Sequence, residues 1–431
     1  MKGPLVLLLL IAANLAQAET DSRAEPVRRG AYLARAADCV ACHTAPDGKP
    51  FAGGLPMQTP IGAIYSTNIT PDRDTGIGDY SFEDFDQAVR HGVGKRSGSL
   101  YPAMPFPSYA RMTGDDMHAL YAYFMQGVPA VRQANQDSEI PWPLSMRWPL
   151  AMWRWMFAPE VADFRPGDSQ DDVQARGAYL VEVLGHCGAC HTPRAITLQE
   201  KALDARGEAF LAGGAPLEGW VAGNLRSDNR HGLGSWSEDE LVAFLRSGRN
   251  QRTAVFGGMT EVIRHSTQHL SESDLRAIAR YLAALPPREP NLGPYRYDDA
   301  VAKALWKGDD SQPGAAAYID NCAACHRTDG QGYKNAFPAL AGNPVLQDAD
   351  ATSVVNIILR GSTLPGMQHA PSSLTMPPFG WRLDDQQVAD LTNFVRNSWG
   401  NGAPPIDADA VRKIRKEPAS GHIVSPVGII P

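Results

Sequence analysis

The sequence predicts a mainly α-helical protein built from three tandem units joined by long loops. Three observations predict it. The pentapeptide Cys-x-x-Cys-His occurs three times, as Cys39–His43, Cys187–His191 and Cys322–His326, and these copies use all six cysteines of the 431-residue chain. A short helical segment carrying a Gly and an aromatic residue precedes each copy. An amphipathic segment with helix start and stop signals closes each unit. Self-similarity of this kind decides architecture before any single element does.

The first unit opens with Arg29-Gly30-Ala31-Tyr32-Leu33, and the second with Arg176-Gly177-Ala178-Tyr179-Leu180. The third has Gly314 and Tyr318 ahead of Cys322. The first closing helix is expected after Thr113-Gly114-Asp115-Asp116, with Met117, Leu120, Tyr121 and Phe124 on one face and Gly127 and Pro129 as the stop. The second begins at Ser271, buries Leu275, Ile278, Leu282 and Leu285, and ends at Pro286-Pro287. The third begins at Asp384, with Val388, Leu391 and Val395 inward and Gly400 beyond it. Caps, the 3.6-residue period and the breakers all agree. Tyr123, Tyr281 and Phe394 fall at matching places, each expected to cross the Gly-bearing first helix of its own unit. Units one and two are the closer pair. Asn68-Ile69-Thr70-Pro71-Asp72 answers to Asn224-Leu225-Arg226-Ser227-Asp228, and each leads through Gly-x-Gly to a short helix ending at Arg90 or Arg246. Unit three has Phe337-Pro338-Ala339-Leu340 instead, then a helix from about Asp350 to Arg360.

Cys-x-x-C-H carries a specific chemistry. Two thiols add across the two vinyl groups of a porphyrin, and the following His reaches the iron from one side. Cys-x-x-Cys alone would also serve zinc or a redox dithiol. Three complete copies with no stray thiol favour three covalently bound haem c groups, held by Cys39, Cys42, Cys187, Cys190, Cys322 and Cys325, with His43, His191 and His326 on the irons. Aperiodic stretches such as 44–80 and 192–235 then make sense, because a haem supplies the apolar centre that loops wrap. Methionine is the soft sixth ligand that raises a haem potential and closes the iron. Met259 is the only methionine between His191 and the end of its closing helix, and Met104 and Met376 occupy the same place in units one and three. Met57, Met112, Met117, Met125 and Met367 compete, as do His91, His231, His265, His269 and His369, but Met is more often core filler.

The N-terminus pairs Lys2 with an apolar run from Pro4 to Ala13 and ends Ala16-Gln17-Ala18, the pattern of a secretory signal peptide. The expected divisions are a signal peptide over 1–18, domain one over 19–135, a Trp/Pro-rich connector over 136–170, domain two over 171–290, a linker over 291–310, domain three over 311–400 and an irregular tail over 401–431. A net charge of −7 argues against a nucleic-acid partner. No Rossmann glycine fingerprint follows a strand, and no thiol is left for nucleophilic catalysis.

The order of motifs resembles the triple-haem cytochrome c subunit of bacterial membrane-bound, quinone-linked dehydrogenases. The resemblance rests on the two Arg-Gly-Ala-Tyr-Leu segments, Thr67–Asp72, the Met104-Pro105-Phe106 loop, Gly258–Val262, Phe379–Leu383 after Met376, and Pro143–Leu150 in the connector. It implies three tandem cytochrome c-type domains, each wrapped around its haem. It also implies an electron-transfer subunit with no catalytic residues of its own. A separate catalytic dehydrogenase subunit with a flavin, pyrroloquinoline quinone or molybdenum would oxidise an alcohol, sugar, sugar acid or aldehyde. Electrons would pass toward ubiquinone or a terminal oxidase at the periplasmic face of the inner membrane. Two other readings remain open: a multihaem peroxidase with one open iron, and a free periplasmic shuttle. The connector tryptophans, among them Trp153 and Trp155, would make peripheral membrane contact, touch the partner, or only fill the gap between units one and two.

Overall fold

The structure is a computed structural model and describes residues 24–59, 61–167 and 170–417. The expected signal peptide and the apolar C-terminal end lie outside these residues. The chain divides into two compact units, with the boundary between Arg165 and Pro166. The expected second and third domains therefore lie together in one unit, whereas the first stands by itself.

In the first unit a helix over 24–36 leads into the short helix Cys39–Cys42. The antiparallel hairpin Pro56–Thr59 and Gly62–Tyr65 follows, with Met57 opposite Ile64. Ser81 and Asp84 form a capping box that starts the helix Phe82–Val89. Thr113 caps the closing helix Gly114–Ala122, whose Met117 and Leu120 are buried as the period requires. This helix widens over Tyr123–Gly127, where Val128 N–H reaches back to the Tyr123 carbonyl across five residues. One-turn π expansions of this sort are a recognised way to accommodate close packing.

The packing that forces the crossing is at Gly30. A Cβ there would overlap the Ala119 carbonyl oxygen and the Tyr123 side chain. Gly177 in the second repeat meets the Ala277 carbonyl and Tyr281 in the same way. Beside each crossing an Arg binds a carboxylate in the first turn of the closing helix. Arg29 Nη2 lies 2.6 Å from Asp116 Oδ1, and Arg176 Nη2 lies 2.8 Å from Asp274 Oδ2. The third repeat replaces both partners at once, with Pro313 for the Arg and Gln387 for the Asp. Gly314 there takes φ +85° at the start of helix Ala315–Asn321, against the Asp390 carbonyl. The aromatic contact persists, with Tyr318 and Phe394 rings 5.4 Å apart.

In the second unit, Asp171 caps helix Asp172–Ala178, Ser237 opens Glu238–Ser247 through a capping box, and Ser271 caps Glu272–Ala284. Helices Thr352–Arg360 and Asp385–Asn397 belong to the third repeat, and Asp384 caps the latter. Their apolar faces enclose a core that includes Tyr318, Val355, Leu391, Val395 and Trp399. Arg396 is buried there, donating to the carbonyls of Leu346, Pro404 and Asp348.

Three connecting segments differ from expectation. The tail is not irregular throughout: Asp407 caps a helix over Ala408–Lys416 that buries Val411 and Ile414. Two apolar residues three apart, with a capping Asp before them, were enough once a core lay beneath. The linker over 291–310 contains the helix Ala300–Trp306, whose Leu305 joins that core. The connector carries three of its four tryptophans, Trp148, Trp153 and Trp155, on a helix, Trp148–Phe157. Trp153 packs on Phe106 and Phe157 at ring distances of 6.2 and 5.6 Å, while Trp142, Trp148 and Trp155 face outward.

Candidate haem sites

Each pentapeptide contains a one-turn helix: Cys39–Cys42, Gly188–His191 and Ala323–His326. The first cysteine points inward and the second lies nearer the surface: Cys42 and Cys190 are exposed, and Cys325 is half-buried. Burial pushes the thiols of Cys39, Cys187 and Cys322 up to about 12. The neighbouring Asp38 adds to this at Cys39, and the second cysteine adds to it at Cys187 and Cys322.

The three histidines share one arrangement. His43 Nδ1 lies 2.7 Å from the Thr67 carbonyl, His191 Nδ1 lies 2.7 Å from Gly223, and His326 Nδ1 lies 2.9 Å from Pro338. A carbonyl can only accept, so Nδ1 carries the proton and Nε2 keeps its lone pair. That is the tautomer a metal-ligating imidazole needs, fixed by the hydrogen bond its other nitrogen makes. Burial lowers all three imidazole pKa values, which also keeps the rings neutral.

The carbonyls escaped the sequence reading, although their flanking residues did not. Thr67 and Gly223 immediately precede Asn68 and Asn224, the residues that begin the matched segments of repeats one and two. Asn68 Oδ1 accepts from Thr70 N–H at 2.9 Å, and Asn224 Oδ1 accepts from Arg226 N–H at 2.8 Å. The repeated Asn thus shapes the loop whose preceding carbonyl orients the histidine. Pro338 does this work in the third repeat from an unrelated sequence.

The third repeat brings three of its four expected donors together, with Cys325 in the same motif turn but not on the cavity wall. Cys322, His326 and Met376 line one cavity with Pro338, Leu340, Leu346, Val354, Ile358, Leu391 and Val395. Two thiols at the motif, one imidazole with a free Nε2 and one thioether in an otherwise apolar chamber fit a covalent haem. Met367, the competing methionine, is buried instead in a cluster with Val255, Ile263 and Leu364. In the first repeat Met104 sits just before helix Phe106–Tyr109, and the Tyr109 hydroxyl donates to the Ala37 carbonyl at 3.0 Å, tying this loop to the chain beside Cys39. Met112 and Met117 are core residues. Met259 begins the helix Met259–His265 and is half-buried. Several other histidines have different neighbours: His91 faces Asp86, His231 faces Glu289, and His265 lies 3.0 Å from Glu261.

Cys-x-x-Cys-His turns with oriented imidazoles in a helical, apolar setting define a c-type cytochrome. The cytochrome c family profile matches residues 311–399. Across nearly the whole chain the similarity is to larger proteins. The gluconate 2-dehydrogenase cytochrome c subunit of Pantoea cypripedii is 60% identical over 97% of this chain and 96% of its own length. The cytochrome c subunit of the quinone alcohol dehydrogenase of Gluconobacter oxydans is 49% identical over 98% of this chain and 88% of its own. The fructose dehydrogenase cytochrome subunit of Gluconobacter japonicus is 36% identical over 95% and 87%. The chain belongs to the family of cytochrome c subunits of quinone-linked dehydrogenases.

Proposed function

We propose that this chain carries three covalent haems and relays electrons from a catalytic dehydrogenase subunit toward ubiquinone or a terminal oxidase at the periplasmic face of the bacterial inner membrane. The observation that carries the reading is the threefold His Nδ1–H to carbonyl bond, which prepares three imidazoles for iron. Cys39 and Cys42, Cys187 and Cys190, and Cys322 and Cys325 would hold the porphyrins; His43 with Met104, His191 with Met259, and His326 with Met376 would ligate the irons. A bound haem supplies a one-electron carrier. The residues of the chain hold the ligands, exclude water from the apolar chamber and keep each imidazole neutral. Were all three irons ligated in this way, none would have a position for peroxide, which favours a carrier over a peroxidase. The three domains would span 19–135, 171–290 and 311–400, the last two sharing one compact unit. The relatives' names place such subunits with gluconate, alcohol and fructose dehydrogenases, so an alcohol, sugar or sugar acid is the substrate class of the partner, whose cofactor would be a flavin, pyrroloquinoline quinone or molybdenum.

Peripheral membrane contact belongs to the same proposal. No helix among the described residues is long and apolar enough to cross a membrane. Trp142 and Trp155 are 79% and 83% exposed, and Trp148, Met152 and Met156 are exposed beside them. Such a cluster suits a membrane interface. The outward Trp148 and Trp155 are the residues to test; Trp153 is packed inward. Replacing both by Ser should release the protein from membranes with its haem spectrum intact.

The decisive experiment is purification of the native complex from membranes, with haem quantified per chain and the large partner's cofactor identified. Three haems per chain and co-purification with a dehydrogenase support the reading. Fewer than three haems, or rapid peroxide turnover by the half-reduced protein, would overturn it.

A further inference from the structure

The second and third repeats share the walls of their sites. Thr253, Ala254 and Phe256 belong to the second repeat, yet they line the cavity formed by Cys322, His326 and Met376. Met259 lies three residues beyond Phe256. In return, Leu364 and Met367 of the third repeat pack in the cluster that Met259 touches. Leu364 stands on the strand Ser362–Leu364, whose antiparallel partner Leu374–Met376 ends at the third repeat's own candidate ligand. One hairpin therefore supports both methionines.

The histidine side of the second site is pinned in the same way. Ser353 and Asn356 lie on helix Thr352–Arg360, which lines the third cavity through Val354, Ile357 and Ile358. Ser353 Oγ accepts from Val221 N–H at 2.8 Å, and Asn356 Nδ2 donates to the Gly219 carbonyl at 2.5 Å. Gly223, two residues past Val221, holds His191. Trp220 lies between these anchors, with its ring 5.5 Å from that of Phe256.

We propose that the second and third haem sites work as one coupled pair, with Phe256, backed by Trp220, as the aromatic contact between them. Both ligands of the second iron hang on segments that also form or brace the third chamber, so a ligand change at either iron is felt at the other. With both haems bound, a single electron would pass from one site to the other, with no bond formed and no proton moved. Phe256 acts as a positioning residue, and the proposal rests on the three-haem reading above.

The test uses the mature holoprotein with Met259→His, Met376→His, Phe256→Leu and Phe256→Tyr. Haem per chain, the near-infrared band of Met-ligated ferric haem and the three midpoint potentials are measured on each. Met259→His should keep three haems, reduce the near-infrared band by about a third and move two potentials, its own and that of the third site. Met376→His should do the reverse. A response of about 59 mV at the second member of the pair would be a tenfold change in a one-electron equilibrium. Phe256→Leu should slow electron equilibration within the pair, and Phe256→Tyr should restore it. If each ligand swap moves one potential alone and Phe256→Leu equilibrates at the parental rate, the coupling is wrong while the haem assignment stands. If the parent protein lacks three haems, or Met259→His leaves the band unchanged, the assignment fails and takes the coupling with it.

Discussion

Repeats one and two are the closer pair in sequence, but repeats two and three are neighbours in structure. The likeness of the first pair is local. Gly30 and Gly177 meet equivalent carbonyls, Arg29 and Arg176 bind equivalent aspartates, and the carbonyls before Asn68 and Asn224 hold equivalent histidines. The union of the second pair is made elsewhere, by side chains the repeats do not share. Asn343 Nδ2 reaches Thr253 Oγ1, Gln347 Nε2 reaches the Arg230 carbonyl, and Ser353 and Asn356 hold the 219–221 loop. Shared ancestry within the chain preserves how a haem site is built. It does not decide which sites pack together, because that depends on loop surfaces free to diverge.

The largest effect expected from this comparison lies at the helix crossings. Replacing Gly by Ala at either crossing drives a methyl group into a backbone carbonyl, and overpacking typically costs about 1–3 kcal/mol, occasionally more. Gly30→Ala should lower a calorimetric transition assigned to residues 24–165 and leave the other unit's haem spectrum unchanged on heating. Gly177→Ala should lower the transition of residues 166–417, with the spectra of both its haem sites lost together. Loss of the second site at a lower temperature than the third would break the picture of one cooperative unit.

The closing helices, their caps and buried faces, and the three Cys-x-x-Cys-His turns were legible because each depends on residues within about a dozen positions. The 3.6 period at Leu275, Ile278 and Leu282 needs no tertiary knowledge. The histidine acceptors were not legible, since a backbone carbonyl carries no side-chain signature; only the repeated Asn68 and Asn224 hinted at a constrained loop. The helix Ala408–Lys416 was missed because seven of its nine residues are polar, charged or Ala; it buries only Val411 and Ile414, and Arg415 ties it to Asp385 and to the Gly380 and Leu383 carbonyls. The joining of repeats two and three was hidden for a similar reason. A single Asn or Ser aimed at a distant carbonyl looks like any surface residue in sequence.

A pH-dependent effect should mark the second unit and spare the first. Glu200 is largely buried against Gly188 of the second motif, its Oε2 lacks a hydrogen-bond partner, and burial raises its pKa from 4.5 to about 7. Below 4.5 the carboxyl is protonated both folded and unfolded, so it has no linkage effect there. Between 4.5 and about 7 the unfolded chain ionises first, and stability falls as pH rises. Above about 7 the full penalty remains. Glu200→Gln should therefore raise the melting temperature of residues 166–417 at alkaline pH, with the gain fading as pH falls toward 4.5. A gain of the same size at every pH would mean that the carboxyl is not held neutral by burial.

The smallest effect is the most informative about how repeats two and three are joined. Asn356→Ala removes the bond to Gly219, and a neutral hydrogen bond contributes about 1 kcal/mol. Adding Ser353→Ala removes the acceptor of the half-buried Val221 N–H, a second neutral bond also contributing about 1 kcal/mol. Neither side chain touches a motif cysteine or histidine through the bonds described, so haem content should stay at the parental value. If these bonds weld the two repeats, the double variant should split the single transition of residues 166–417 into two, and hydrogen exchange should rise at Gly219–Gly223 before it rises in the helix Glu272–Ala284. The Gly223 carbonyl would then hold His191 less firmly, and the second haem's spectrum should broaden while the first is unchanged. A transition that only shifts, without splitting, would assign the union of the two repeats to the apolar cluster of Val255, Ile263, Leu364 and Met367 instead.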